Sequence, residues 1–97
     1  MSVIIDFSIF PVGESESLSP YVARVLKVIR NSGLPHNLGP MGTSIEGDWD
    51  EVMDVVNRCF EELKKDCSRV YMNIKADYRK GVSGRIKSKI NSVEGKI

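Results

Sequence analysis

The alternation of apolar and polar residues predicts four strands. Residues 3–10 alternate with period two and are rich in β-branched and aromatic side chains, which is typical of a strand. Residues 70–77 repeat the alternation, and shorter extended segments are predicted at 34–38 and 41–47. Glycine and proline separate these segments, as expected for the turns between strands.

Apolar residues at helical spacing predict a first helix between the first two strands. Ser19 is predicted as its N-cap and Pro20 as its first helical residue, where the missing N–H has no cost. Gly33, free to adopt the left-handed conformation, is predicted to end the helix.

A second helix is predicted after Asp48, which precedes Glu51 at the spacing of a capping box. Its apolar stripe begins at Trp49 and ends near Asp66, and we interpret the stripe as core packing. A short final helix with few core residues is predicted over 86–93.

The order of elements, β-α-β-β-α-β followed by a helix, is that of the ferredoxin-like α+β fold. This predicts a four-stranded antiparallel sheet with the first and third strands central, two helices on one face, and a C-terminal helix. A chain of 97 residues holds one core, so residues 1–97 are predicted to form a single domain.

Strand alternation assigns the side chains to two faces of the sheet. The face under the helices is predicted to hold Val3, Ile5, Phe7, Ile9, Ile45, Val70, Met72 and Ile74. The opposite face, called here the open face, is predicted to hold Ile4, Asp6, Ser8, Phe10, Ser44, Glu46, Tyr71, Asn73 and Lys75. Ile4, Phe10 and Tyr71 would form an exposed apolar patch, so a second subunit is expected to cover part of this face.

Composition and charge narrow the class of protein. Apolar residues make up 41% and charged residues 28%, as in folded domains, and no apolar run is long enough to span a bilayer. Six of the basic residues lie in 79–97, but no aromatic residue is interleaved with them, so we expect no nucleic-acid partner and no membrane partner. Two cysteines without CxxC spacing favour reduced thiols and a cytoplasmic protein.

The sequence contains no established catalytic or metal motif. His36 has no ligating partner at metal-site spacing, and neither GxxxxGK[ST] nor GxGxxG occurs. An acyl-phosphate hydrolase on this fold would need an arginine beside a glycine-rich anion nest, which the first strand–helix loop lacks. We therefore predict a protein that is not an enzyme and needs no cofactor or metal.

The segment Gly39-Pro40-Met41-Gly42-Thr43-Ser44-Ile45-Glu46-Gly47 resembles the thiamine-binding protein family. Ser32-Gly33-Leu34, Val52-Met53-Asp54, Pro11-Val12-Gly13 and Asp77-Tyr78-Arg79 also match, and the resemblance covers roughly residues 3–90. It implies a ferredoxin-like fold, dimers assembled into tetramers, and binding of thiamine or its hydroxymethylpyrimidine precursor.

An aminopyrimidine needs hydrogen-bonding partners and a flat apolar wall. The predicted ligand-binding residues are Ser8, Phe10, Thr43, Ser44, Glu46 and Asn73, with Tyr71 and Trp49 as further candidate walls. Thr43 and Glu46 lie three residues apart and point to opposite faces of an ideal strand. Two structural alternatives stay open: Thr43 packing under the helices, and Glu46 as a surface carboxylate beside the second helix.

The expected function is thus non-catalytic binding of a small molecule near a subunit interface, as a carrier, buffer or sensor. The alternative is a structural or protein–protein interaction oligomer without a small ligand.

Overall fold

A computed structural model describes residues 2–13 and 17–97 and contains four strands and three helices. The strands are β1 (Ser2–Pro11), β2 (His36–Leu38), β3 (Thr43–Gly47) and β4 (Val70–Arg79). The helices are α1 (Ser19–Asn31), α2 (Trp49–Lys64) and α3 (Arg85–Glu94). The order β1-α1-β2-β3-α2-β4-α3 confirms the predicted arrangement.

The strands form an antiparallel sheet in the order β2-β3-β1-β4. β1 and β3 are central, as the ferredoxin-like fold requires. β1 pairs with β4 over its whole length, from Ser2↔Arg79 to Pro11↔Val70. Its pairing with β3 is only half as long and runs from Val3↔Gly47 to Phe7↔Thr43.

The core lies between the sheet and the first two helices. Val3, Ile5, Phe7 and Ile9 of β1 are all buried, which confirms the predicted face of this strand. Helix α1 contributes Val25 and Ile29, and α2 contributes Val52, Val55, Val56, Cys59 and Leu63. Burying each large apolar side chain contributes about 1.5–3 kcal/mol, so this layer holds the helices on one face.

The predicted burial of β4 is only partly correct. Met72 and Ile74 share the helix-side face by register, but each is 39% exposed. β4 is an edge strand, and α2 lies mainly over β1. The alternation of a strand identifies its faces, whereas the position of the helices above it decides which side chains are covered.

The starts of both long helices also differ from expectation. Leu18, not Ser19, is the N-cap of α1, and the N–H groups of Tyr21 and Val22 donate to its carbonyl oxygen. Trp49, predicted in the core, is the first residue of α2 and is 55% exposed. A residue in the first turn of a helix can fit the apolar spacing of that helix and still lie outside the core.

The cap of α2 follows the prediction. The backbone N–H of Asp48 donates to Glu51 Oε1 at 3.3 Å, as in a capping box.

An ion-pair cluster joins α1 to the last turn of α2 and the turn that follows it. Arg24 Nη2 lies 2.9 Å from Glu62 Oε2 and 2.9 Å from Asp66 Oδ1. Hydrogen bonds to Asp66 and Glu62 raise the pKa of Arg24, while Arg24 lowers the pKa of both carboxyls. The cluster adds a polar link to α1, which forms one wall of the cavity described next.

Candidate functional site

A cavity of about 1050 Å³ opens where β3 stops and β1 continues. β1 runs on from Ser8 to Pro11, where it pairs with β4 but has no β3 partner. The resulting notch is bounded by β1, by the first half of α1, and by the loop between β2 and β3. The cavity therefore follows from the unequal lengths of two neighbouring strands.

The lining combines an apolar surface with a few polar groups, as is usual for small-molecule sites. Its apolar members are Phe7, Ile9, Phe10, Leu18, Val22, Ala23, Val25, Leu38, Pro40 and Met41. The uncharged polar side chains are those of Ser8, Ser19, Thr43 and Asn73, and the charged ones are those of Asp6 and Lys75.

On the open face, the cavity wall is a ladder of cross-strand neighbours. Ser8 pairs with Asn73, and Phe10 pairs with Tyr71, whose ring centroid lies 5.5 Å from that of Phe10. Both members of the first pair and Phe10 line the cavity. The hydroxyl and amide groups can hydrogen-bond to a flat heterocycle, and the aromatic ring beside them can stack against it.

The loop that closes the cavity is a tight turn. The N–H of Gly39 donates to the carbonyl oxygen of Gly42 at 2.8 Å. Gly42 also packs closely on β1, since a Cβ placed on it would lie 3.0 Å from Asp6 Oδ1 and 3.1 Å from the carbonyl oxygen of Phe7. A residue with a side chain at this position would displace either the Asp6 carboxylate or the start of β3.

Glu46 lies at another part of the open face and is not one of the cavity-lining residues. The residue is 3% exposed, and its carboxylate accepts hydrogen bonds from Ser2 Oγ at 2.9 Å and from the backbone N–H of Arg85 at 2.9 Å. The N–H of Ile86 donates to Glu46 Oε1 at 3.2 Å. The carboxylate thus occupies the N-terminus of α3, which corrects the expectation of a surface group beside α2.

The electrostatics of Glu46 match this buried position. Burial raises the pKa of the carboxyl, but the hydrogen bonds from Arg85, Ser2 and Ile86 lower it further, and the net pKa is below its usual value. Glu46 is consequently an ionised helix cap.

Helix α3 covers the same end of the open face. Arg85 is buried, and its guanidinium donates to the carbonyl oxygen of Asp77 at 3.0 Å and pairs with the Asp77 carboxylate. Lys89 Nζ lies 2.9 Å from Asp77 Oδ2. Ile4, the register partner of both Glu46 and Asp77, is half-buried, whereas Tyr71 at the other end is 50% exposed.

The structure brings four of the six predicted site residues to the cavity. Ser8, Phe10, Thr43 and Asn73 line it, and Thr43 reaches it from beneath the helices. Ser44 and Glu46 do not. A ligand role for any of the six stays a prediction, and the geometry favours the four that share the cavity.

Sequence reasoning did not select Asp6 and Lys75 as site residues, although it placed both on the open face. The signal that could have found them is their strand alternation with Ser8 and Asn73, which places all four side chains side by side. Val22 and Met41 were also missed, because helix spacing and loop composition do not indicate which residues surround a cavity.

No other chemical site emerges in the described residues. Within 2–13 and 17–97, no group of three or more His, Cys, Asp or Glu side chains could hold a metal ion. His36 Nδ1 lies 2.9 Å from the carbonyl oxygen of Leu34 in its own segment. Across the same residues, none of the helices combines the length and hydropathy needed to cross a bilayer.

The fold and the cavity together define a small ferredoxin-like domain with a ligand-sized site beside its first strand. The model of the family described as thiamine-binding protein matches residues 5–94, and the chain belongs to this family.

Relatives match the chain over nearly its whole length. A UPF0045 protein of Mycobacterium bovis is 42% identical over 95 residues, which cover 97% of this chain and 93% of the relative. A hypothetical protein of Methanocaldococcus jannaschii has a solved structure with a TM-score of 0.88, 30% identity and 96% coverage of both chains.

A third comparison carries a functional description. A protein of Thermotoga maritima, described as a candidate for thiamine biosynthesis or salvage, matches with a TM-score of 0.80 and 26% identity. The match covers 93% of this chain and 99% of that protein.

Proposed function

We propose that this protein binds thiamine or its hydroxymethylpyrimidine precursor without chemically transforming it. The observation that carries the proposal is the notch beside β1, where Ser8 and Asn73 lie next to Phe10 in one cavity wall. Membership of the thiamine-binding family supports a ligand of this class. A cytoplasmic carrier, buffer or sensor is the role that fits these features.

The ligand lies with its pyrimidine ring against Phe10. The hydroxyl of Ser8 can donate to a ring nitrogen or accept from the exocyclic amine. The Asn73 amide on β4 can do the same through its NH2 group and its carbonyl oxygen. Thr43 offers a second hydroxyl from β3, on the helix side of the sheet. The apolar part of α1, including Val22, closes the site on the side away from β4.

A second subunit completes the site. The cavity reaches the open face at Ser8 and Asn73, beside the exposed Tyr71 ring. The Phe10 and Tyr71 rings lie 5.5 Å apart and form an apolar patch, and such patches favour cover by another chain. The ligand is therefore held near a subunit interface.

Calorimetric titration of the wild type with thiamine and with hydroxymethylpyrimidine tests the proposal. Asn73→Ala should weaken binding by about two- to tenfold, since a lost neutral hydrogen bond costs about 0.5–1.5 kcal/mol. Asn57→Ala, an exposed amide on α2 away from this cavity, is the matched control and should bind as the wild type does.

Two results would contradict the proposal. If neither compound produces heat or a shift in melting temperature with the wild type, the structural oligomer without a small ligand becomes the better explanation. If both bind but Asn73→Ala and Asn57→Ala behave alike, the ligand occupies another surface.

A further inference from the structure

The cavity has one acidic and one basic side chain in its described lining, and they face each other. Asp6 lies on β1 and Lys75 on β4, and the two are register partners on the open face. Both line the cavity beside the Ser8–Asn73 pair. A ligand that lies against Phe10 and Ser8 therefore extends toward Asp6 and Lys75. A charged group on that part of the ligand would be attracted by one of these side chains and repelled by the other.

The two charges are available to a ligand. Within the described part of the chain, neither Asp6 nor Lys75 takes part in an ion pair or a side-chain hydrogen bond. Asp77, two positions further along β4, differs in this respect because it pairs with Arg85 and Lys89. The open face thus contains a neutralised carboxylate at the α3 end and an unpaired one at the cavity.

Gly42 packs closely beside the unpaired carboxylate. Asp6 Oδ1 lies only 3.0 Å from the point that a Cβ of residue 42 would occupy. Because this contact is tighter than ordinary van der Waals packing, a side chain there would push the carboxylate away from the cavity wall. The loop and the acidic residue are therefore sterically coupled.

We infer that Asp6 is a specificity-determining residue that selects ligands carrying a positive charge next to the heterocycle, with Lys75 setting the opposite preference for anionic groups. The inference rests on the proposed function. Thiamine carries a permanent charge on its thiazolium ring, whereas hydroxymethylpyrimidine has the same aminopyrimidine without that ring. The pair of compounds thus separates the effect of the charge from the effect of the shared ring.

The test is titration of Asp6→Asn with both compounds in mildly alkaline buffer, where the aminopyrimidine is neutral. Removing a charge about 5 Å from a cation in a half-open site should weaken thiamine binding by roughly five- to thirtyfold. Binding of hydroxymethylpyrimidine should change less than about twofold. Asp54→Asn removes the same formal charge from the exposed surface of α2 and is the matched control.

Lys75→Gln is expected to shift charge preference in the direction opposite to Asp6→Asn. It removes the positive charge across from Asp6, so thiamine should bind more tightly and thiamine monophosphate more weakly than to the wild type. A change in the same direction for both compounds would indicate loss of packing by the lysine stem and would contradict the inference.

The outcomes distinguish failure of the proposed function from failure of the inference about Asp6. If the wild type binds neither compound, the proposed function fails and the inference fails with it. If the wild type binds both and Asp6→Asn weakens both equally, Asp6 accepts a hydrogen bond from the shared ring and selects no charge. If Asp6→Asn matches Asp54→Asn for thiamine, the carboxylate has no role in binding, although the proposed function stands.

Discussion

Glu46 joins a strand to a helix through one buried carboxylate. Two backbone N–H groups at the start of α3 would otherwise have no acceptor there, because Gly84 at the N-cap has no side chain to provide one. The Ser2 hydroxyl donates to the same carboxylate. One residue of the segment 39–47, which resembles the thiamine-binding family, thus caps the C-terminal helix.

Replacing this carboxylate is expected to lower stability strongly. Glu46→Ala leaves buried donors unsatisfied and should reduce the free energy of unfolding by about 2–4 kcal/mol. Glu46→Gln retains one acceptor oxygen and should lose less. Urea denaturation of both variants measures the effect, with Glu61→Gln, an exposed residue of α2, as the control.

Unchanged stability in Glu46→Ala would show that the cap is dispensable. It would also restore the alternative in which this carboxylate is free to contact a ligand.

The role of Glu46 could not be predicted from the sequence because its partners are distant. Ser2 lies 44 residues before it and Arg85 lies 39 after it. Strand alternation placed Glu46 on the open face correctly, but a second subunit, not the chain's own C-terminal helix, was expected to cover part of that face. Local patterns predict local partners, such as Asp48 and Glu51, and the acceptor for an uncapped helix start is visible only after the chain has folded.

Helix α3 is attached mainly through charged and polar groups. Apart from Arg85 and the half-buried Ile86, its residues are exposed, and Ile90 and Val93 contribute little to the core. Lys89 and Arg85 lower the pKa of Asp77, and the donors around Glu46 lower the pKa of that residue. The attachment of this element should therefore depend on pH.

We expect α3 to loosen in acid. A carboxyl whose pKa is lower in the folded than in the unfolded protein stabilises the fold above its unfolded pKa and loses this contribution as the pH falls through the folded value. Stability should thus begin to decline as the pH falls below about 4.5, the usual value for Glu46. Hydrogen exchange of α3 amides across this range measures the change.

Glu46→Gln supplies the control for acid loosening. Its α3 amides should exchange faster at neutral pH and should change less between neutral and acidic pH than those of the wild type. An equally steep decline in the variant would assign the acid sensitivity to other carboxyls.

The existence of each helix and strand could be predicted, whereas their exact placement could not. The alternation in residues 3–10 and the apolar stripe of α2 are strong signals because core packing imposes them on many consecutive positions. The start of α1 and the exposure of Trp49 depend on single residues at element ends. The cavity depends on β3 beginning only at Thr43, so that β1 continues past Phe7 without a β3 partner, and that difference in length is set by tertiary pairing.

At the scale of the whole molecule, the exposed end of the open face predicts assembly. Tyr71 is 50% exposed beside the half-buried Phe10 ring, and both lie next to the cavity. Light scattering at micromolar concentration should give a tetramer, four times the chain mass of 10.9 kDa. Tyr71→Glu places a charge in the patch and should shift the mass toward a smaller species.

Tyr78→Glu is a suitable comparison for this measurement. Tyr78 is 57% exposed on the same strand but on the helix side of the sheet, so its substitution should leave the assembly intact. A monomeric wild type would contradict both the tetramer and a site completed by a second subunit.

The long pairing between β1 and β4 has a consequence for how the chain is made in the cell. Of the four described strands, β1 is translated first and β4 last, yet they are neighbours along ten residues. The edge of β1 that pairs with β4 must therefore stay unpaired until almost the entire domain has been translated. Contacts so far apart in sequence also slow folding. We expect the nascent domain to fold in one late step, after β4 has been translated. Until then the unpaired edge of β1 is exposed and prone to aggregation.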